Sequence, residues 1–382
     1  LAICAVLGML GSTMHVLPKD VRRVVSIVTF GLLFISVLEA AIDDLSEGFG
    51  LEGLTDAMYA KRGGLTVKYS IILVVVLGVL AAVTKGRVKG ATNHYRGLKG
   101  AERKRASVLP FAGLAVLCIV LPMFLGKIIN ELLANVGLFL LLALGLNIVV
   151  GLAGILDLGY VAFFAVGGYT TAVLTSAESP FFAPELHFGF ALIVVVLIAG
   201  LTGLVIGAPV IRMRGDYLAI VTLGFGEIIR LLFMSDWLKP YFGGAQGITN
   251  VPHVDLGFAV VKGTDPRSVF YMILVFCVLA IYVSWRLQGS RLGRAWMAIR
   301  EDEQVAEAMG INTVNTKLMA FVVGAMMAAL SGAILAAKVG SVFPNSFMIL
   351  VSIIILVVVI VGGMGNILGV MVGSFVLIGV LG

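Results

Sequence analysis

Apolar runs of thirteen to twenty-five residues recur along the whole chain, separated by short polar stretches. They fall at 1–17, 24–42, 69–84, 108–125, 132–150, 152–176, 188–208, 217–234, 269–287, 317–338, 349–361 and 367–382. Crossing a hydrocarbon core of about 30 Å takes roughly 20 apolar residues in a helix. Within lipid every backbone amide must be paired, either inside the segment or around a closed barrel. The runs are continuous and do not alternate at period two, which predicts helices and not barrel strands. The expected fold class is therefore an all-α polytopic membrane protein with roughly 10–12 transmembrane or half-membrane helices. The shorter runs suit half-helices or re-entrant segments.

Composition sharpens this picture. Hydrophobic residues make up 60% of the 382 positions, charged residues 13%, and the mean hydropathy is +1.10, far from the range of soluble domains. The 47 glycines fit helices that approach closely in a membrane. Cys4, Cys118 and Cys277 all lie in apolar runs and read as small buried hydrophobes. His15, His94, His187 and His253 are scattered and suggest no metal site. The chain begins at Leu1 and stops at Gly382 within an apolar run, so both ends read as trimmed.

Loop charge gives the orientation. Lys and Arg in short loops mark the cytoplasmic side. Residues 85–107 carry eight bases (Lys85, Arg87, Lys89, Arg96, Lys99, Arg103, Lys104 and Arg105) against Glu102 alone, which puts that loop inside. Alternation then puts 18–23, 209–216 and 288–316 inside, and 43–68 and 235–268 outside. The inside loops hold Lys19, Arg22, Arg23, Arg212, Arg214, Arg291, Arg294 and Arg300, and 43–68 is acidic. The net charge of +6 is thus a topology signal, and no nucleic-acid partner is expected. Residues 1–107 read as a membrane extension with a basic cytoplasmic linker, and residues 108–382 as the working core.

The longest polar stretch of that core, 287–318, is cytoplasmic by this topology and yet patterned as a helix. Apolar positions from Ala295 to Met309 interleave with charge, and Glu301, Asp302 and Glu303 suit the start of a short helix that Gly310 would stop. A solvated amphipathic turn would look like this, and so would a docking helix for a cytoplasmic partner. The stretch resembles the coupling loop of ABC-importer permeases, and the chain as a whole resembles the LivM-type permeases of branched-chain amino-acid importers. The matching words are GLAGILDLGYVAFFAVGGYTTAVL at 151–174, RMRGDYLAIVTLGFGEIIRLL at 212–232, GGAQGI at 243–248, LGRAWMAIREDEQVAEAMGI at 292–311 and VVIVGGMGNILG at 358–369. Of the wider importer pattern Glu-Ala-Ala followed by Gly, only Ala306 and Gly310 are kept.

The resemblance implies a non-catalytic membrane subunit, in line with the lack of a Gly-x-x-x-x-Gly-Lys-Ser/Thr phosphate loop. It implies no cofactor on this chain, with ATP and Mg used by two cytoplasmic ATPase subunits. It further implies a second related permease, a periplasmic or extracellular substrate-binding protein, and residence in a bacterial cytoplasmic membrane. Leucine, isoleucine and valine are the implied substrates. Urea or short amides, or another amino acid, are the alternatives within the class, and an ion-coupled secondary transporter is the rival outside it. Arg294, Trp296, Arg300, Glu301, Asp302, Glu303, Ala306 and Gly310 are the candidate ATPase-coupling residues.

Three further groups stand out. Asp157, Tyr160, Phe163, Phe164 and Tyr169 form an aromatic stretch after Gly151, Gly154 and Gly159, and either pack between helices or line the path. Arg212 and Arg214 read as interfacial anchors, with Asp216 placed to cap the next helix. Glu227 and Arg230 lie inside an apolar run, spaced to pair, and about eleven residues past Asp216 at ~1.5 Å each puts them near the midplane. Such a pair should face a partner permease or the pathway wall. Gly324, Ala328, Gly332 and Ala336, and Gly365, Gly369 and Gly373, repeat at spacing four, the mark of close helix crossings, either within the chain or against the partner.

Overall fold

The computed structural model describes residues 66, 69–70, 72–74, 76 and 118–379, apart from 182, 212, 214–215 and 256–259. The chain divides into two compact units, residues 1–129 and 130–382. Within the first, the described residues are helical at 69–70, 72–74, 76 and 118–124. The expected spans at 1–17 and 24–42 and the basic linker at 85–107 lie outside the described residues.

Among the described residues ten helices of six residues or more carry the rest: α1 Lys127–Leu146, α2 Val161–Thr175, α3 Phe188–Val210, α4 Asp216–Met234, α5 Pro266–Gln288, α6 Arg291–Glu301, α7 Glu303–Ala308, α8 Thr313–Val339, α9 Ile349–Gly362 and α10 Ile367–Gly379; a single helical turn, Lys239–Phe242, lies between α4 and α5. Among the described residues six helices are long and apolar enough to cross a membrane, and α2 and α10 are shorter apolar helices. The one sheet there is a two-residue antiparallel pair, Val254–Asp255 with Val260–Val261. The protein is a multi-pass membrane protein.

Two helices form the centre. The apolar window of α1 and its extension is 83% buried and that of α8 is 67% buried, against 28% for α3 and α4. A helix apolar all round and buried all round is a core element, whereas the outer helices keep an apolar face free for lipid or another chain. The small residues of α8 explain how it sits so deep. Ala328 and Ala336 are fully buried. A Cβ on Gly332 would land on the Phe164 carbonyl oxygen of α2, and one on Gly167 of α2 would land on the Ala329 carbonyl oxygen. The two backbones therefore touch, and the spacing-four stripe is spent inside the chain. The second stripe is likewise internal, since Gly369 and Gly373 pack on Gly362 where α9 and α10 fold back on each other.

The expected span 152–176 is not one helix. α1 runs on through a π-helical turn, Asn147–Leu152, and residues 153–160 are irregular before α2 begins at Val161. A break there leaves orphan backbone groups. Three donors find side chains: Leu158 N donates to Thr222 Oγ1 of α4 (3.1 Å), Gly159 N to Asp157 Oδ1 (2.9 Å) and Val161 N to Ser352 Oγ of α9 (3.0 Å), while Ala153 N and Ile155 N donate to the Ile148 and Val149 carbonyls of the π-turn. The bend also demands glycine at Gly154, where φ is +70°, and at Gly159, whose Cα faces the Thr222 carbonyl too closely for a side chain.

Two stability predictions follow from this packing. Gly332→Ala should lower the melting temperature sharply or abolish a monodisperse peak in detergent, while Gly224→Ala should be silent, because a Cβ on Gly224 meets no atom within 4 Å. Thr222→Val keeps the shape but leaves Leu158 N–H unpaired, and should cost about 1–2 kcal/mol in reversible unfolding.

Candidate functional site: a two-helix elbow and an outward-facing ion pair

One end of the second unit gathers 147–157, 288–312 and 363–366, and this is the end that the arginines assign to the cytoplasm. Gly365 N donates to Asn147 Oδ1 (2.8 Å), Gln288 Nε2 donates to the Gly365 carbonyl (3.2 Å), and Arg300 Nη1 donates to the Gly151 carbonyl. The opposite end gathers the outer loops. Ile248 pairs with Val342, Val251 N donates to the Gly340 carbonyl (3.0 Å), and Ser176 Oγ donates to the Thr249 carbonyl (2.6 Å). The GGAQGI word lies in this outer group, with Gly243, Gly244 and Gly247 all at positive φ.

The polar stretch between α5 and α8 is not one short helix but two, α6 and α7, set in an elbow. Ser290 caps α6 by accepting from Gly293 N (3.1 Å). Asp302 breaks the pair: in an extended conformation it caps α7, accepting from Gln304 N (2.9 Å) and Val305 N (3.1 Å). Gly310, at φ +87°, ends α7, as the sequence pattern anticipates. Asp302 and Gly310 thus shape the elbow, each through its own backbone chemistry.

Other candidate coupling residues fasten the elbow to the membrane helices. Trp296 as a candidate coupling residue would present its ring to a partner. Instead it is fully buried, and its Nε1 donates to the Thr316 carbonyl at the start of α8 (2.8 Å). A large apolar ring over a helix start gains more from that burial than from exposure. Ala306 is buried as well. Glu303 forms an ion pair with Lys317 of α8 (2.6 Å). The aliphatic part of Arg300 lies over Gly154 while its guanidinium holds the π-turn carbonyl. Arg294 is exposed and its Nη1 donates to the Gly289 carbonyl (3.0 Å); Glu301 is exposed at the end of α6.

The tip of the elbow carries what the sequence reading passed over. Val305 is 57% exposed and Met309 80% exposed, on one face of α7 together with Ala308. Apolar side chains presented at an aqueous membrane end form a contact surface. The signal was in the sequence, since 305, 306 and 308 of the six-residue helix and 309 just after it are all apolar, and so short a helix can bury only one side.

The aromatic stretch does not line an open path in this structure. Asp157, Tyr160, Phe163, Phe164 and Tyr169 are all buried in the protein core. Tyr160 Oη donates to the Gly324 carbonyl of α8 (3.1 Å), Phe163 packs edge-on to Phe321, and Tyr169 stacks on Phe233 with ring centroids 4.1 Å apart. Close packing between α2, α4 and α8 is what these rings provide, because the glycines beside them bring the backbones near enough for rings to interlock.

Glu227 and Arg230 do meet. Arg230 Nε donates to both carboxylate oxygens of Glu227 (3.0 and 3.1 Å), and Arg230 Nη1 lies 3.1 Å from Met234 Sδ. The pair is only half-buried and sits on the outward side of α4, beside the exposed Ile228 and Leu231. Asp216 starts α4, but its side chain, like Arg212 and Arg214, lies outside the described residues.

A family model described as the permease component of branched-chain amino-acid transport systems matches residues 128–381. The chain is 36% identical over 286 residues to the high-affinity branched-chain amino-acid permease protein LivM of Escherichia coli, covering 69% of this chain and 65% of that protein. It is 28% identical over 241 residues to a probable LivM of Methanocaldococcus jannaschii (60% and 68% covered), and 26% identical over 254 residues to LivH of Escherichia coli (63% and 79% covered). The chain therefore spans 65% of the length of the bacterial LivM proteins it matches. No solved structure matches it. The elbow, the broken helix and the glycine-packed core all lie inside the matched region, and the chain belongs to the branched-chain amino-acid transport permease family.

Proposed function

We propose that the chain is the transmembrane permease subunit of an ATP-driven importer for leucine, isoleucine and valine in a bacterial cytoplasmic membrane. The observation that carries this reading is the elbow: a capped pair of short helices, strapped to α8 by Trp296 and Glu303 and to the π-turn by Arg300, with Val305 and Met309 offered outward. A cytoplasmic ATPase docking on that tip would move it as a lever. Arg300 would pass the movement to the break between α1 and α2, and Gln288 to the α9–α10 turn. Closure of two ATPase subunits on ATP and Mg would then swing a pair of permeases between inward-facing and outward-facing states. No cofactor is assigned to this chain.

The second permease is a related subunit, as the presence of both LivM and LivH in Escherichia coli suggests. Its place is against α4. A half-buried ion pair near the midplane is costly against lipid, whereas a partner helix or a water-filled path covers it. A substrate-binding protein would deliver the amino acid at the opposite end, near the 243–251 loop.

Reconstitution with the companion permease, ATPases and binding protein should give ATP-dependent uptake of labelled leucine that excess urea does not compete. Leucine uptake without ATPase subunits would refute the mechanism, and competition by urea would refute the substrate. Met309→Glu and Val305→Glu should each leave this chain folded, since both side chains are exposed, and reduce co-purification of the ATPase at least ~10-fold. Arg300→Ala should keep ATPase binding and basal ATP hydrolysis but lower the leucine transported per ATP. Glu227→Ala strands Arg230 in the membrane and should impair pairing with the second permease; unchanged pairing and uptake would refute the placement.

A further inference from the structure

A groove of about 820 Å3 lies under the end of α5, where the chain turns into α6. Its lining includes Trp285, Arg286, Arg291 and Arg294, with no acid among the lining residues. All four side chains are exposed, and none of the three arginines makes an ion pair among the described residues. Arg294 is held in place by the Gly289 carbonyl. The sequence from Pro266 to Arg300 contains no acid.

An exposed apolar stripe on α5 leads away from the groove. Val275, Val278, Leu279, Tyr282 and Trp285 are exposed on α5 at helical spacing, a stripe about 15 Å long that ends at the arginines. Tyr282 and Trp285 form its lower end, the ring types that settle at the lipid–water boundary. A cytoplasmic protein docked on the elbow tip could meet the arginines but not the membrane-embedded stripe. One ligand fits both parts: a molecule with an anionic head and apolar tails.

We propose that this groove is a binding site for an anionic phospholipid of the cytoplasmic leaflet, its phosphate held by Arg286, Arg291 and Arg294 and its acyl chains laid along the α5 stripe. Bound there, the lipid would brace the joint between α5 and the elbow. The inference rests on the orientation of the chain and not on what it transports.

The test is native mass spectrometry of the full chain, delipidated in detergent and titrated with dioleoyl-phosphatidylglycerol or dioleoyl-phosphatidylcholine. Phosphatidylglycerol should be retained and phosphatidylcholine not. Arg286→Gln with Arg291→Gln should weaken retention at least ~10-fold. The lysine pair Arg286→Lys with Arg291→Lys should preserve most of it, and Arg267→Gln at the other end of α5 should change nothing. Equal retention of the two lipids, or an unaffected glutamine double variant, would overturn the proposal. Displacement by millimolar inorganic phosphate would overturn the lipid in favour of a free anion. Loss of the lipid on adding the companion permease would assign the stripe to that subunit.

Discussion

Breaking a helix against a close-packed core is the constraint on which the rest of this structure depends. Backbone groups that the break buries must find partners within the protein. It draws them from all around the break: Thr222 from α4, Ser352 from α9, and Arg300 from α6. Each bond serves two ends, because satisfying a donor or acceptor also fixes where the contributing helix stands. Asn147 extends the same logic, reaching from the π-turn to Gly365 between α9 and α10. Moving any of these elements alone would leave a buried backbone group unpaired. They are therefore coupled, and Arg300 ties the elbow into the group.

Small residues make that arrangement reachable. In lipid there is no hydrophobic drive to bring two apolar helices together, so association depends on contact distance. Gly167 and Gly332 let α2 and α8 meet backbone to backbone. At that separation Tyr160 reaches the Gly324 carbonyl and Ser331 Oγ reaches the Leu138 carbonyl of α1 (3.1 Å). These two polar side chains end on backbone carbonyls of neighbouring helices, which tightens the crossings.

Hydropathy made the spans and their class legible, and the pattern of apolar and charged positions marked out the polar stretch that forms the elbow. What it could not resolve was direction. An amphipathic helix of eleven residues reads the same whether its indole points at a partner or at its own α8, and Trp296 points inward. The aromatic stretch at 160–169 suffered the same ambiguity: rings beside glycines suit a pathway or a tight crossing, and only the position of α8 decides for the crossing. The break was half visible. Gly151, Gly154 and Gly159 argue against a smooth helix start, but the π-turn that carries α1 on to Leu152 has no periodicity to betray it. Asp302 looked like one acid among three, yet it alone has the extended backbone that divides the elbow in two.

The Glu227–Arg230 pair draws these threads together. Tyr160 and Ser331 in the core reach a backbone carbonyl of another helix, but this pair is matched within α4 and turned outward. Local pairing at one helical turn neutralises the charge and removes the largest penalty. It does not remove the smaller one, since Arg230, 17% exposed, keeps donors that lipid cannot satisfy. Gly224, with open space where a side chain would be, lies one turn away from Glu227 and lets another backbone come close. A face with a neutralised pair, residual donors and room for a close approach is built to meet polar atoms from outside the chain. Lipid tails have none, so on physical grounds α4 is the surface best suited to a second subunit or to the water of a path.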